Sequence, residues 1–155
     1  MMARSTVHIK KALQDALHNK IEDQMASLRK AITSIEESKL NETKSSAGDK
    51  FETGRAMMQM EQDKTESQLA ILNITKNKLK QISPDLKCIT GELGAIIKTD
   101  TNNYYLSVSL GKTLVDDVAY YAVSPEAPLS KLLIGRKAGE MIRFRDKEIS
   151  ILGVG

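Results

Sequence analysis

The stretch Val7–Leu40, VHIKKALQDALHNKIEDQMASLRKAITSIEESKL, decides the fold. Leu13, Leu17, Ile21, Met25, Leu28, Ile32 and Ile35 recur at steps of three and four, which lays them along one stripe of a helix. From Ile21 the steps alternate four and three, the rhythm of a coiled-coil seam, while Lys, Glu, Asp, Gln and Ser fill the other faces. Such a stripe must be buried against a partner, and the chain supplies one. From about Lys50 to Ile82, Met58, Thr65, Leu72 and Leu79 fall seven apart, and Leu69 adds the complementary seam position. Each stretch has roughly 30 residues, on the order of 50 Å at the helical rise per residue. The break between them, Ser45-Ser46-Ala47-Gly48, is short, which favours antiparallel neighbours. Ser83-Pro84-Asp85 closes the hairpin, because proline cannot continue a helix and biases its predecessor away from helical geometry.

Beyond that proline the periodicity shortens. Glu92–Thr99 alternates loosely around Leu93, Ile96 and Ile97, Asp100-Thr101-Asn102-Asn103 is a turn cluster, and Tyr104–Leu110 has strand composition. Asp116-Asp117 precedes a further strand, Val118–Val123. A turn at 124–128 leads into a short apolar helix, Leu129–Ile134, which Gly135 is placed to end. The last element reads as a hairpin around Asp146-Lys147, pairing Arg145 with Glu148, Phe144 with Ile149 and Ile142 with Ile151. The expected fold is therefore α+β. An antiparallel coiled-coil hairpin occupies 1–82, with an acidic tip near 45–55. Residues 83–155 form a small, mainly antiparallel sheet with one short helix.

Composition narrows the function. The net charge is +3, and residues 8–82 carry 13 basic and 11 acidic groups while 83–155 carry 9 of each. Neither half has the concentrated positive field of an autonomous duplex-DNA binder. Cys88 is the sole cysteine, so no intramolecular disulfide can form and a reducing, cytoplasmic setting is expected. Its plain reading is a small, partly buried apolar side chain. His8 and His18 are too far apart for adjacent helical turns, and no Cys/His cluster joins them into a zinc site. No apolar run reaches about 18 residues, so neither a membrane partner nor a signal core is expected. No Gly-rich phosphate loop or nucleophile–base arrangement suggests a small-molecule substrate.

Asp49 and Glu52 stand three apart at the start of the second helix, hence on neighbouring positions of one face. Two readings fit. Asp-x-x-Glu makes a capping box, the acids satisfying free backbone N–H groups. The same pair can share a Mg²⁺ ion whose other oxygens come from elsewhere, being too few to hold one unaided. Phe51, an aromatic between them with little core to enter, is a candidate partner contact. Met57, Met58 and Met60 follow, part of them on the seam, and Lys39, Lys44 and Lys50 cluster nearby.

The arrangement resembles the Gre family of bacterial transcript cleavage factors (GreA/GreB) over nearly the whole chain. The family's tip pattern, Gly-Asp-[Leu/Ile]-x-Glu-Asn-Ala-Glu-Tyr, is met by Gly48, Asp49 and Glu52. Its C-terminal signature is met, with spacing kept, by Val123-Ser124, Pro128-Leu129, Leu133-Ile134-Gly135-Arg136 and Gly139-Glu140. Ala127 stands where the family has serine, and Thr53-Gly54-Arg55-Ala56 replaces Asn-Ala-Glu-Tyr, removing an acid and an aromatic. The resemblance implies an FKBP-like C-terminal domain and a coiled coil inserted through the secondary channel of RNA polymerase, with nascent RNA near the tip. It implies that the factor is not itself an enzyme. Asp49 and Glu52 would assist the polymerase's own hydrolysis of backtracked RNA through a shared Mg²⁺, with no cofactor of the factor's own. Phe51, Ser124, Pro128, Leu129 and Ile134 would touch the partner, while Leu133 and Gly135 serve helix packing and capping. A prolyl isomerase activity is not expected from the fold: aromatic residues make up only 4% of the chain and tryptophan is absent. Two other readings stay open: a channel occupant that modulates polymerase without cleavage, and a coiled-coil adaptor with no polymerase role.

Overall fold

In the computed structural model residues 5–44 and 49–155 are described, with side chains described outside 42–52. Helix α1 spans Thr6–Lys44 and α2 spans Asp49–Lys80. α1 runs past the expected end at Leu40, since nothing in Asn41-Glu42-Thr43-Lys44 breaks a helix. α2 stops two residues short of Ile82. The amides of Gln81 and Ile82 reach back three residues, to Lys78 and Leu79, a tightening of the last turn ahead of Pro84. The expected break at 45–48 lies outside the described residues.

The chain divides into two compact units, one of residues 19–76 and one joining the described residues up to His18 to 77–155. Within the first unit, partners on α2 fall in number as those on α1 rise. Glu22 pairs with Lys76, Glu36 with Gln62, and Lys39 with both Gln59 and Gln62. That is antiparallel packing. Ile21, Met25 and Thr65 are buried, and Leu28, Ile32, Ile35, Met58, Leu69 and Leu72 are half-buried, so the heptad positions do form the seam. Thr65 tolerates burial because its hydroxyl donates to the Glu61 carbonyl at 2.8 Å, one turn back on its own helix.

The second unit holds a six-stranded sheet. Its strands are β1 (Ile96–Thr99), β2 (Asn103–Leu106), β3 (Gly111–Val115), β4 (Val118–Val123), β5 (Met141–Phe144) and β6 (Lys147–Val154), ordered β3-β4-β2-β1-β6-β5. All neighbours are antiparallel except β2 and β4. Ala95, Ile97, Tyr104, Leu106, Ile142, Ile149 and Ile151 pack with Cys88 and Leu133 in one core. The base of the hairpin joins this unit: Leu13, Leu17, Leu79 and Ile82 are buried. The Gln14 amide donates to the Ile82 carbonyl at 2.6 Å and to the Tyr105 hydroxyl at 3.3 Å.

Several expectations are corrected. β1 begins only at Ile96, because Gly94 takes φ +93° and spends its amide on the Leu106 carbonyl at 2.7 Å. β2 ends at Leu106 rather than Leu110, as the Ser107 amide turns to the Val123 carbonyl at 2.8 Å. β3 was not anticipated. It is an outer strand with only Val115 buried, so it carries no apolar alternation. Asp116 and Asp117, at φ 52° and 65°, form the tight turn that folds it onto β4. The short helix, α3, is Pro128–Leu133, one residue earlier than expected. The last hairpin turns on Arg145-Asp146, at φ 50° and 63°, not on Asp146-Lys147. Phe144 therefore faces Lys147 and Ile142 faces Ile149. Among the described residues no helix is long and apolar enough to cross a membrane.

Candidate partner-binding surfaces

α2 starts at Asp49, so the backbone of both acids is already helical and their spacing of three puts the two positions side by side on its first turn. The side chains of Asp49, Phe51 and Glu52, and hence their proposed capping, metal and contact roles, lie outside the described residues. So do the Lys44 and Lys50 side chains. Just beyond, Met58 is half-buried on the seam, while Met57 and Met60 are 66% and 72% exposed. The Met cluster thus splits between packing and surface. Lys39 is held across the hairpin by Gln59 and Gln62, a structural crosspiece.

The second group of expected contacts sits where β4 runs into α3. Ser124 and Leu129 are half-buried, Pro128 is exposed, and Ile134 is 45% exposed. The Ala127 amide reaches the Ser124 carbonyl at 3.1 Å, closing the turn, and Pro128 opens α3 where a missing N–H costs nothing. Ala127 occupies the N-cap and offers no side-chain acceptor. Glu126, fully exposed, has its carboxyl held below the usual range, first by its own backbone N–H, then by the Ser124 hydroxyl, with Lys78 and Lys131 adding a smaller pull.

Leu133 is fully buried, and Gly135, at φ +82°, ends the helix as expected. The Arg136 side chain covers the Leu132 carbonyl at 3.2 Å. This end of α3 is stitched to the segment before β1: the Gly91 amide donates to the Arg136 carbonyl and the Gly135 amide to the Gly91 carbonyl, both at 2.8 Å. A Cβ on Gly91 would lie 2.0 Å from the Leu133 carbonyl oxygen, so only glycine permits the approach. Two residues to either side of Gly91, Ile89 and Leu93 are 81% and 50% exposed. Leu93, read in the sequence as part of a strand alternation over 92–99, lies ahead of β1, and Ile89 reads in the sequence as an ordinary apolar residue.

A third feature is internal. Lys10 has no exposed surface; its ammonium donates to the Leu86 carbonyl at 2.7 Å and lies 3.9 Å from Cys88 Sγ. Burial pulls the lysine below its ordinary pKa, against the opposing pull of Cys88 and Glu92. Burial likewise pushes the Cys88 thiol up to about 11, with hydrogen bonding to Glu92 adding to the rise and Lys10 opposing it. Cys88 is buried as expected, but its neighbour is polar. The signal for Lys10 was positional: it stands seven residues before Leu17 on the apolar stripe. Among the described residues no three His, Cys, Asp or Glu side chains gather as metal ligands.

No family model matches the sequence and no curated protein is similar to it. Among solved structures the chain is similar to GreA factor homolog 1 (Gfh1) of Thermus thermophilus, at 14% identity, covering 89% of this chain and 94% of that one with a TM-score of 0.34. A second structure, described as the transcription factor Gfh1, gives 15% identity, 90% and 93% coverage and a TM-score of 0.35. At these values the likeness assigns no role to any residue.

Proposed function

We propose that the chain is an RNA polymerase-binding elongation factor that carries its hairpin into the polymerase secondary channel and assists cleavage of backtracked RNA. One observation carries the reading: α1 and α2 pair antiparallel, and the two acids of the Gre-like motif open α2. Asp49 and Glu52 are hard oxygen donors and would hold Mg²⁺ only together with carboxylates of the polymerase. When bound, that ion supplies charge neutralisation at the phosphate and a more acidic water. The chain's own residues position and lend charge, so the hydrolytic activity belongs to the partner. Ser124, Pro128, Leu129 and Ile134 form the contact on the sheet-bearing unit.

A stalled, backtracked complex supplied with Mg²⁺ tests this. Added protein is expected to shorten the RNA from its 3′ end, and Asp49→Ala is expected to abolish shortening while polymerase binding persists. Unshortened RNA with the native protein bound would reject cleavage and favour the channel occupant. Arg55 and exposed Thr53, in place of an acid and an amide in the family pattern, are the observation behind that second reading. No polymerase binding at all would leave the adaptor.

A further inference from the structure

We propose that Lys10 and Cys88 are the two ends of an oxidation-driven crosslink, a reversible S–N bond formed when a peroxide reaches the thiol. This is independent of the polymerase reading. Three observations converge. The Lys10 nitrogen lies 3.9 Å from Cys88 Sγ and is held there by the Leu86 carbonyl. Neither group is free to wander, Lys10 being 0% and Cys88 5% exposed. A cavity of about 240 Å³ bordered by Ser5, Thr6, Val7, Leu86, Lys87 and Cys88 admits a molecule as small as hydrogen peroxide. The chain has no second cysteine to resolve an oxidised thiol as a disulfide, and the Lys10 amine stands beside the sulfur.

The chemistry balances in two steps. Sγ attacks one peroxide oxygen: an S–O bond forms, the O–O bond breaks, and the departing hydroxide leaves as water with the thiol proton. Sulfur is oxidised by two electrons to a sulfenic acid and the peroxide is reduced. The neutral Lys10 amine then attacks sulfur. An S–N bond forms, the S–OH bond breaks, and hydroxide leaves as water with a proton from nitrogen. The product has lost two hydrogen atoms and gained no oxygen. Sulfenic acids condense with a backbone nitrogen to give a sulfenamide, and here the Lys10 amine would take that nitrogen's place. Burial helps the second step by disfavouring the ammonium form and slows the first by keeping the thiol protonated, while fixed placement replaces a bimolecular encounter between sulfur and nitrogen. The bond would tie the start of α1 to the segment before β1, closing a loop across 78 positions.

The test is peroxide treatment of the full chain followed by peptide mapping with and without dithiothreitol. Mapping is required because the seven methionines also take up oxygen. The expected result is a linked peptide pair containing Lys10 and Cys88, two hydrogens lighter than the separate peptides and released by the thiol. Its formation should raise the thermal midpoint until reductant is added. In Lys10→Arg, Cys88 should proceed to sulfinic acid with no linked pair. Two results would overturn the proposal: native protein carrying oxygen on Cys88 with the Lys10 peptide free, or a Cys88 thiol untouched by peroxide. Both are read on the native chain, so they hold even if the variant fails to fold.

Discussion

Ala127 starts α3 from a position where serine, threonine, aspartate or asparagine would accept an amide of the first turn, and alanine cannot. Ala127→Ser is expected to stabilise the protein by about 1 kcal/mol, read as a higher urea midpoint with an unchanged slope. Cys88 sets a pH dependence. Its thiol ionises at about 11 in the folded chain against 9.0 otherwise, so between those values the unfolded chain gives up a proton that the folded chain keeps. Stability is therefore expected to fall as pH rises through that window. Tyr105, its pKa also raised by burial, acts in the same direction, and Lys10, its pKa lowered, acts in the opposite one. Urea midpoints from pH 9 to 11 should decline less in Cys88→Ala than in the native protein; equal declines would deny the thiol this part. At this scale Asp49 and Glu52 stand out in the sequence because they are carboxylates at a spacing of three, and the structure adds that their backbone opens α2. Lys10 was not, because a lysine on a helix ordinarily reads as solvated and only the fold shows that its stem is enclosed.

The elements divide by how much of their own pattern they carry. α1 and α2 were legible from periodicity, since one buried stripe repeated over many turns constrains both period and partner. β4 was legible to the residue, while β3 was silent because an outer strand with one buried side chain needs no alternation. In the β5–β6 hairpin the turn moved by one position, which shifts each cross-strand pairing by two residues. A shift of two preserves the faces, so Ile142, Ile149 and Ile151 remain buried as read. What decided the turn is backbone conformation: Arg145 and Asp146 both sit in the left-handed region that a two-residue turn of this hand requires. Asp146→Gly should relieve about 1 kcal/mol of strain and raise the thermal midpoint. Arg145 is the poorer choice, because its guanidinium stacks 5.0 Å from the Phe144 ring.

For the molecule as a whole, charge gives a direct expectation. With +3 spread over 155 residues, duplex DNA should bind no more tightly than about 10⁻⁴ to 10⁻⁶ M at physiological salt. Fluorescence anisotropy checks this, and binding well below a micromolar would mean that the fold gathers basic residues the sequence leaves dispersed. The polymerase reading is likewise a claim at this scale, since it needs the hairpin and the sheet-bearing unit in one chain. The sheet's layout was the least legible part. Only pairing across the chain brings β4 parallel to β2 and seats β6 beside β1.

By itself the sequence determined the hairpin, the short helix and the positions of the acids, because helical periodicity and proline or glycine punctuation are local and accumulate over many residues. The tertiary structure alone decided strand order, the turn at Arg145-Asp146, the need for glycine at 91 and the enclosure of Lys10 beside Cys88. Each depends on atoms brought together from distant stretches, and no local pattern encodes which groups will meet or which backbone will be forced into a left-handed turn.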